Sequence, residues 1–170
     1  MSSQPSTALS LYQSTPDLDA VTSTLVVVDS YIQDLSPVVQ ALDSSAILMR
    51  LNPHYNGIEQ ISARLIQCRA LQRMHLLVQG RAGAMRLGSL WLTHAHLEAH
   101  QTALERWQQA FAPQAEIHLH SPNVAMGLEG MEFVGRLSQL TGAVVVATNL
   151  SIGRSAVQPL HGFETLPLAS

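Results

Sequence analysis

The stretch AEIHLHSPNVAMGLEGMEFVGRLSQLTGAVVVATN, residues 115–149, decides how this chain folds. AEIHLHS (115–121) alternates like a strand, with Ile117 and Leu119 between polar neighbours. EGMEFVGRLSQLTG (129–142) puts Met131, Val134, Leu137 and Leu140 near one helical face, and Gly142 follows as its C-terminal stop. AVVVATN (143–149) is a second apolar strand. A helix between two short apolar strands is a crossover, and a crossover makes the strands parallel. One residue in this stretch is out of place. Pro122 stands just past the carboxyl end of the first strand, where an α/β fold favours a nucleophile or a ligand contact. Proline offers neither a reactive side chain nor an N–H donor.

The same rhythm extends towards the N-terminus. HLEAHQTALERWQQAF (96–111) spaces Leu97, Leu104, Trp107 and Phe111 as a helix. The segment RAGAMRLGSLWLTHAHL (81–97) is punctuated by glycine and alternates like a hairpin from Met85 to Leu92. MHLLVQG (74–80), AILMRL (46–51) and TLVVVDS (24–30) read as further buried strands, the last ending at Asp29 and Ser30. IEQISARLIQCRAL (58–71) places Ile58, Ile61, Leu65 and Cys68 on one helical face. Residues 31–43 suit a short helix with Ser36 as N-cap and Pro37 at its first position. The expected architecture is α/β: three layers, a mostly parallel sheet with helices on both faces. Residues 1–22 read as a flexible leader, 23–165 as a single α/β domain, and 151–170 as an irregular tail.

Composition narrows the function. The charged fraction is 12%, about half the usual share. The nine basic residues are all arginine and scattered, and the net charge is −3, which argues against nucleic acid. A weakly charged surface favours association, so a protein or peptide partner, or further copies of the chain, is expected. No apolar run approaches the about 20 residues of a membrane span. The first residues lack a signal peptide, so the expected location is cytoplasmic, or outside by a signal-independent route.

Several residues invite chemistry. Cys68, the lone thiol, lies on an apolar helix face and reads as core. His96 and His100 share a helix face, but with Glu98 they spell H-x-E-x-H, not the H-E-x-x-H of zinc peptidases. Glu116, His118 and His120 share one face of a strand that should be apolar on both sides. They form either a partly covered polar face or a binding patch. The pairs Gly80/Gly83 and Gly127/Gly130 follow strands without matching a phosphate-binding motif, and read as turns.

Three blocks occur together: TLVVVDS (24–30); the glycine-rich segment after the third strand with Leu87, Gly88 and Leu92; and Asn123, Val124, Ala125, Gly127 and Gly130 running into LTGA (140–143). In this combination the chain resembles a bacterial domain of unknown function. That domain is found at the N-terminus of large cadherin-like and calcium-repeat surface proteins, in cyanobacteria and other Gram-negative bacteria. The resemblance implies a caspase-like fold, related to cysteine peptidases whose histidine ends the third strand in H-G-x-x-G and whose cysteine follows the fourth in G-C-N-V-A. Carried over, the histidine falls on Gln79 and the cysteine on Pro122, with Ser121 for the glycine before it. Gln79 cannot exchange a proton near neutral pH, and Pro122 cannot attack. The expectation is therefore a non-catalytic pseudo-peptidase, without cofactor or metal. Its binding groove would be lined by Gln79, Gly80, His120, Ser121, Pro122 and Asn123. The alternative is a hydrolase of different, metal-dependent chemistry built on the histidines.

Overall fold

In the computed structural model, residues 23–39, 45–121 and 123–147 are described. Five strands form a sheet in the order β2-β1-β3-β7-β8: β1 (Thr24–Val28), β2 (Ala46–Arg50), β3 (Leu71–Leu77), β7 (Phe111–His120) and β8 (Val144–Ala147). Every pairing in it is parallel. Between β3 and β7 the chain makes a small antiparallel sheet, β4 (Gly80–Arg81), β5 (Ala84–Leu87) and β6 (Leu90–Thr93). The helices are α1 (Ser36–Val39), α2 (Gly57–Leu65), α3 (His94–Ala99), α4 (Gln101–Arg106) and α5 (Gly127–Thr141). The mostly parallel α/β architecture expected from the sequence is the one observed.

Alternation along the strands divides the sheet into two faces. Leu25 and Val27, Met74 and Leu76, Ile117 and Leu119, and Val145 and Ala147 point to the face packed by α2, α4 and α5. Val26, Val28 and Leu77 point the other way, against Val38 of α1 with Ile32 and Leu35. Helix α5 shows how the first face is filled. It buries Phe133, Val134, Leu137 and Leu140, each worth about 1.5–3 kcal/mol of transfer free energy. Met131, expected on that face, is instead 43% exposed, and Phe133 takes the position. The buried positions step by three and four from Gly130, which leaves 131 on the outer side.

Boundaries differ from the sequence expectation in physically readable ways. The helix expected at 96–111 is broken into α3, α4 and a 3₁₀ turn, Trp107–Gln109. Phe111 has left it and opens β7, while Leu71 N–H donates to Ala110 O at 2.8 Å, so β3 starts earlier than Met74. Pro113 is tolerated in β7 because the register shifts there, from Leu71↔Phe111 to Arg73↔Glu116, leaving an irregularity that needs no N–H from it. At α1, Ser36 is already helical, and its N–H is held by Asp34 Oδ1 at 2.9 Å, so the aspartate takes the capping role. The leader at 1–22 and the tail beyond 147 lie outside the described residues.

Candidate functional site

In an open parallel sheet the ligand crevice opens at the carboxyl ends of strands, where the strand order reverses. Here the reversal falls between β1, which is followed by β2 on one side, and β3 on the other. Asp29, the residue after β1, occupies this point and is fully buried. Its N–H donates to Leu77 O at 2.9 Å, and its Oδ1 accepts from Ser30 N–H at 2.9 Å. Oδ2 and the Ser30 hydroxyl have no partner among the described residues. Burial pushes the Asp29 carboxyl above its ordinary range, opposed by the Ser30 N–H and by the charge of Arg86. Arg86 reaches in from β5, lies 4.1 Å over the Tyr31 ring and donates to Gly88 O at 3.3 Å. The sequence reading took Asp29 and Ser30 only as the end of the strand. The signal was present: an acidic residue closing an apolar strand at the switch point.

Beside it, the ends of β3 and β7 come together. Gln79 is exposed, and its carbonyl accepts from Arg86 N–H at 2.8 Å. Gly80 packs so tightly that an added Cβ would overlap Ser121 Oγ and Val124 Cγ2. Ser121 is 4% exposed, and its hydroxyl has no partner among the described residues. Asn123 is exposed and opens the following turn in the left-handed region at φ 69°, a conformation asparagine adopts more readily than most residues. Val124 O then accepts from Gly83 N–H at 3.0 Å, which ties this turn to the β4–β5 hairpin. Gln79, Gly80, Ser121 and Asn123 therefore stand together, and Pro122 lies outside the described residues. His120 is the exception among the groove residues: its ring is engaged on the sheet's second face, with His75.

Compared with known families, residues 25–159 match a domain of unknown function (DUF4347). The chain belongs to this family. No curated protein and no solved structure matches it. The family match covers the parallel sheet except for Thr24 at the start of β1, so the crevice just described is part of the DUF4347 domain itself.

On the second face of the DUF4347 sheet, register brings His75 of β3 beside His118 of β7, with His120 one step along. The His75 ring stacks on His118 at 4.9 Å and on His120 at 5.1 Å. His75 Nδ1 and His120 Nε2 are 2.9 Å apart, so one must donate and the other accept. His75 Nε2 and His120 Nδ1 are buried without partners among the described residues. Burial pulls both below the ordinary imidazole range, to about 4, helped at His75 by His120, His118 and Arg73 and at His120 by His118. His118 instead pairs with Glu116 at 2.8 Å. His75 and His120 are therefore a neutral, stacked, hydrogen-bonded pair beside the His118–Glu116 contact, and His75 is the member that sequence reasoning left out.

The other candidates resolve plainly. His96 Nδ1 bonds Thr93 Oγ1 at 2.8 Å. His100 Nδ1 donates to His96 O at 2.9 Å, so its Nε2 accepts from Asn56 Nδ2 at 3.2 Å. Glu98 is paired with Arg136, so the H-x-E-x-H residues point to three different partners. Among the described residues no three of His, Cys, Asp or Glu are grouped to hold a metal ion. Cys68 is 4% exposed in the main core, and burial raises its thiol, which makes it a packing residue. Gly130 abuts the Val124–Ala125 backbone and permits close packing of α5.

Proposed function

We propose that this DUF4347 domain is a caspase-like scaffold without peptidase chemistry, which binds a protein or peptide along the crevice at the ends of β3 and β7. One observation carries the reading. The two strand ends that would have to present a base and a nucleophile present Gln79, which has no titrating group, and a Ser121 hydroxyl buried under Gly80. Among the described residues Ser121 has no histidine beside it to accept its proton, because His75 and His120 are bonded to each other on the opposite face. Pro122 stands at the nucleophile position in the sequence. The groove between them is flanked by the exposed residues Gln79 and Asn123, whose side-chain amides suit hydrogen bonding to an extended peptide.

A metal-dependent hydrolase has less support. Its histidines stack and bond one another instead of turning their nitrogens to a common point. The binding reading is tested by passing a random peptide library over the immobilised domain and sequencing what is retained. Retained peptides with a shared pattern, lost on substitution of the exposed Gln79 (Gln79→Arg), support it. Retention indifferent to that substitution overturns the site.

A further inference from the structure

A second cavity lies far from this crevice, at the amino end of the sheet, between the C-terminal turns of α2 and α4. Its volume is about 530 Å³, within the range that holds small ligands. Leu65 and Trp107 form its floor, both almost completely buried. Ile66 stands at its rim and is 85% exposed, the most exposed of the large apolar side chains among the described residues. An isoleucine so displayed beside an apolar floor marks a contact surface. Two arginines line the same cavity, Arg69 and Arg106. Neither has a hydrogen-bond or ion-pair partner among the described residues, whereas Arg136 is paired with Glu98. The helix C-termini oppose an anion there by at most about half a charge each, and two full guanidinium charges outweigh them.

An apolar floor under two free cations selects one ligand chemistry. From this arrangement we infer that the cavity is a binding site for a small anionic amphiphile, an apolar body carrying a single carboxylate or similar head. The body replaces water over Leu65, Ala103 and Trp107, and the head lies between Arg69 and Arg106. A chain of net charge −3 would otherwise repel such an anion, so the local pair of arginines sets the selectivity.

Trp107 reports the site directly. Its Nε1–H donates to Ser62 Oγ at 2.8 Å across the floor, and the other tryptophan, Trp91, lies elsewhere, under Arg81. In a Trp91→Phe background, decanoate is titrated below its micellar range while Trp107 emission is followed. The expected result is a saturable shift with decanoate that is about tenfold weaker in Arg69→Gln/Arg106→Gln, since an ionised hydrogen bond at a partly open site is worth roughly that factor. Decyltrimethylammonium, with the same tail and opposite charge, is expected to bind about tenfold more weakly than decanoate to the unsubstituted site. Both arginines are exposed, so their replacement leaves the fold intact. No saturable shift, equal binding of the two head groups, or decanoate affinity unchanged in the double variant would each overturn the assignment.

Discussion

Mild acid should destabilise this domain, with His75 as a principal cause. His75 is 5% exposed and held neutral, at about 4, against an ordinary 6.5. Its folded pKa is depressed, so the unfolded chain binds the proton first. Stability is full above about pH 6.5 and is lost as pH falls from there towards 4. Between pH 7 and pH 5 that shift removes about 2 kcal/mol. His120 is shifted in the same direction but is more open to water, so its share is smaller. The two do not simply add, because a doubly protonated pair would turn two N–H groups into one 2.9 Å gap. A total loss of about 2–4 kcal/mol is a large part of the 5–15 kcal/mol that holds a domain together. The assay is urea unfolding followed by circular dichroism at pH 7 and pH 5, for wild type and for His75→Phe/His120→Leu, which keeps the packing and removes both titrating rings. The wild type should lose about 2–4 kcal/mol more than the variant over this interval. Equal losses would refute the reasoning, and would place the acid sensitivity elsewhere.

Two further outcomes follow from the crevice. Gly80→Ala pushes a methyl into Ser121 Oγ and Val124 Cγ2 and should destabilise by about 1–3 kcal/mol in thermal or urea unfolding, far more than a surface Gly→Ala exchange. Asp29→Asn should act with the opposite pH sign to the histidines. The Asp29 carboxyl is raised, so its ionised form burdens the fold as pH rises through and above the ordinary carboxylate value of 3.8, and the amide variant should gain on wild type as pH rises from about 3.5 to 7. An Asn variant whose disadvantage grows with pH would show that Asp29 is ionised and paired.

Much of the fold was readable because it is local. The runs at 24–28 and 144–147 are apolar and β-branched, and α5 repeats at helical spacing, so the parallel βαβ rhythm needed no tertiary information. Gln79 was marked out by the family resemblance, and its place just past β3 follows the apolar run that Gly80 closes. The rest depended on pairing across the chain. His75 and His120 are neighbours only once β3 and β7 align in register. Asp29 meets Arg86 only through the small β4–β5–β6 sheet, whose hairpin-like alternation says nothing of where it docks. Met131 and Phe133 differ by less than a turn, and the choice between them is made by the sheet they face. The break at Trp107 escaped notice because the spacing of Trp107 and Phe111 continues a helical pattern that the backbone has already left.

The central claim is that the domain binds without cutting. It is tested most directly by incubating wild-type protein with a proteome-derived peptide library and reading new peptide termini by mass spectrometry, beside Gln79→His/Pro122→Cys. The account predicts no new termini from the wild type above a buffer control. Specific termini generated by the wild type, with Gln79 and Pro122 in place, would contradict it.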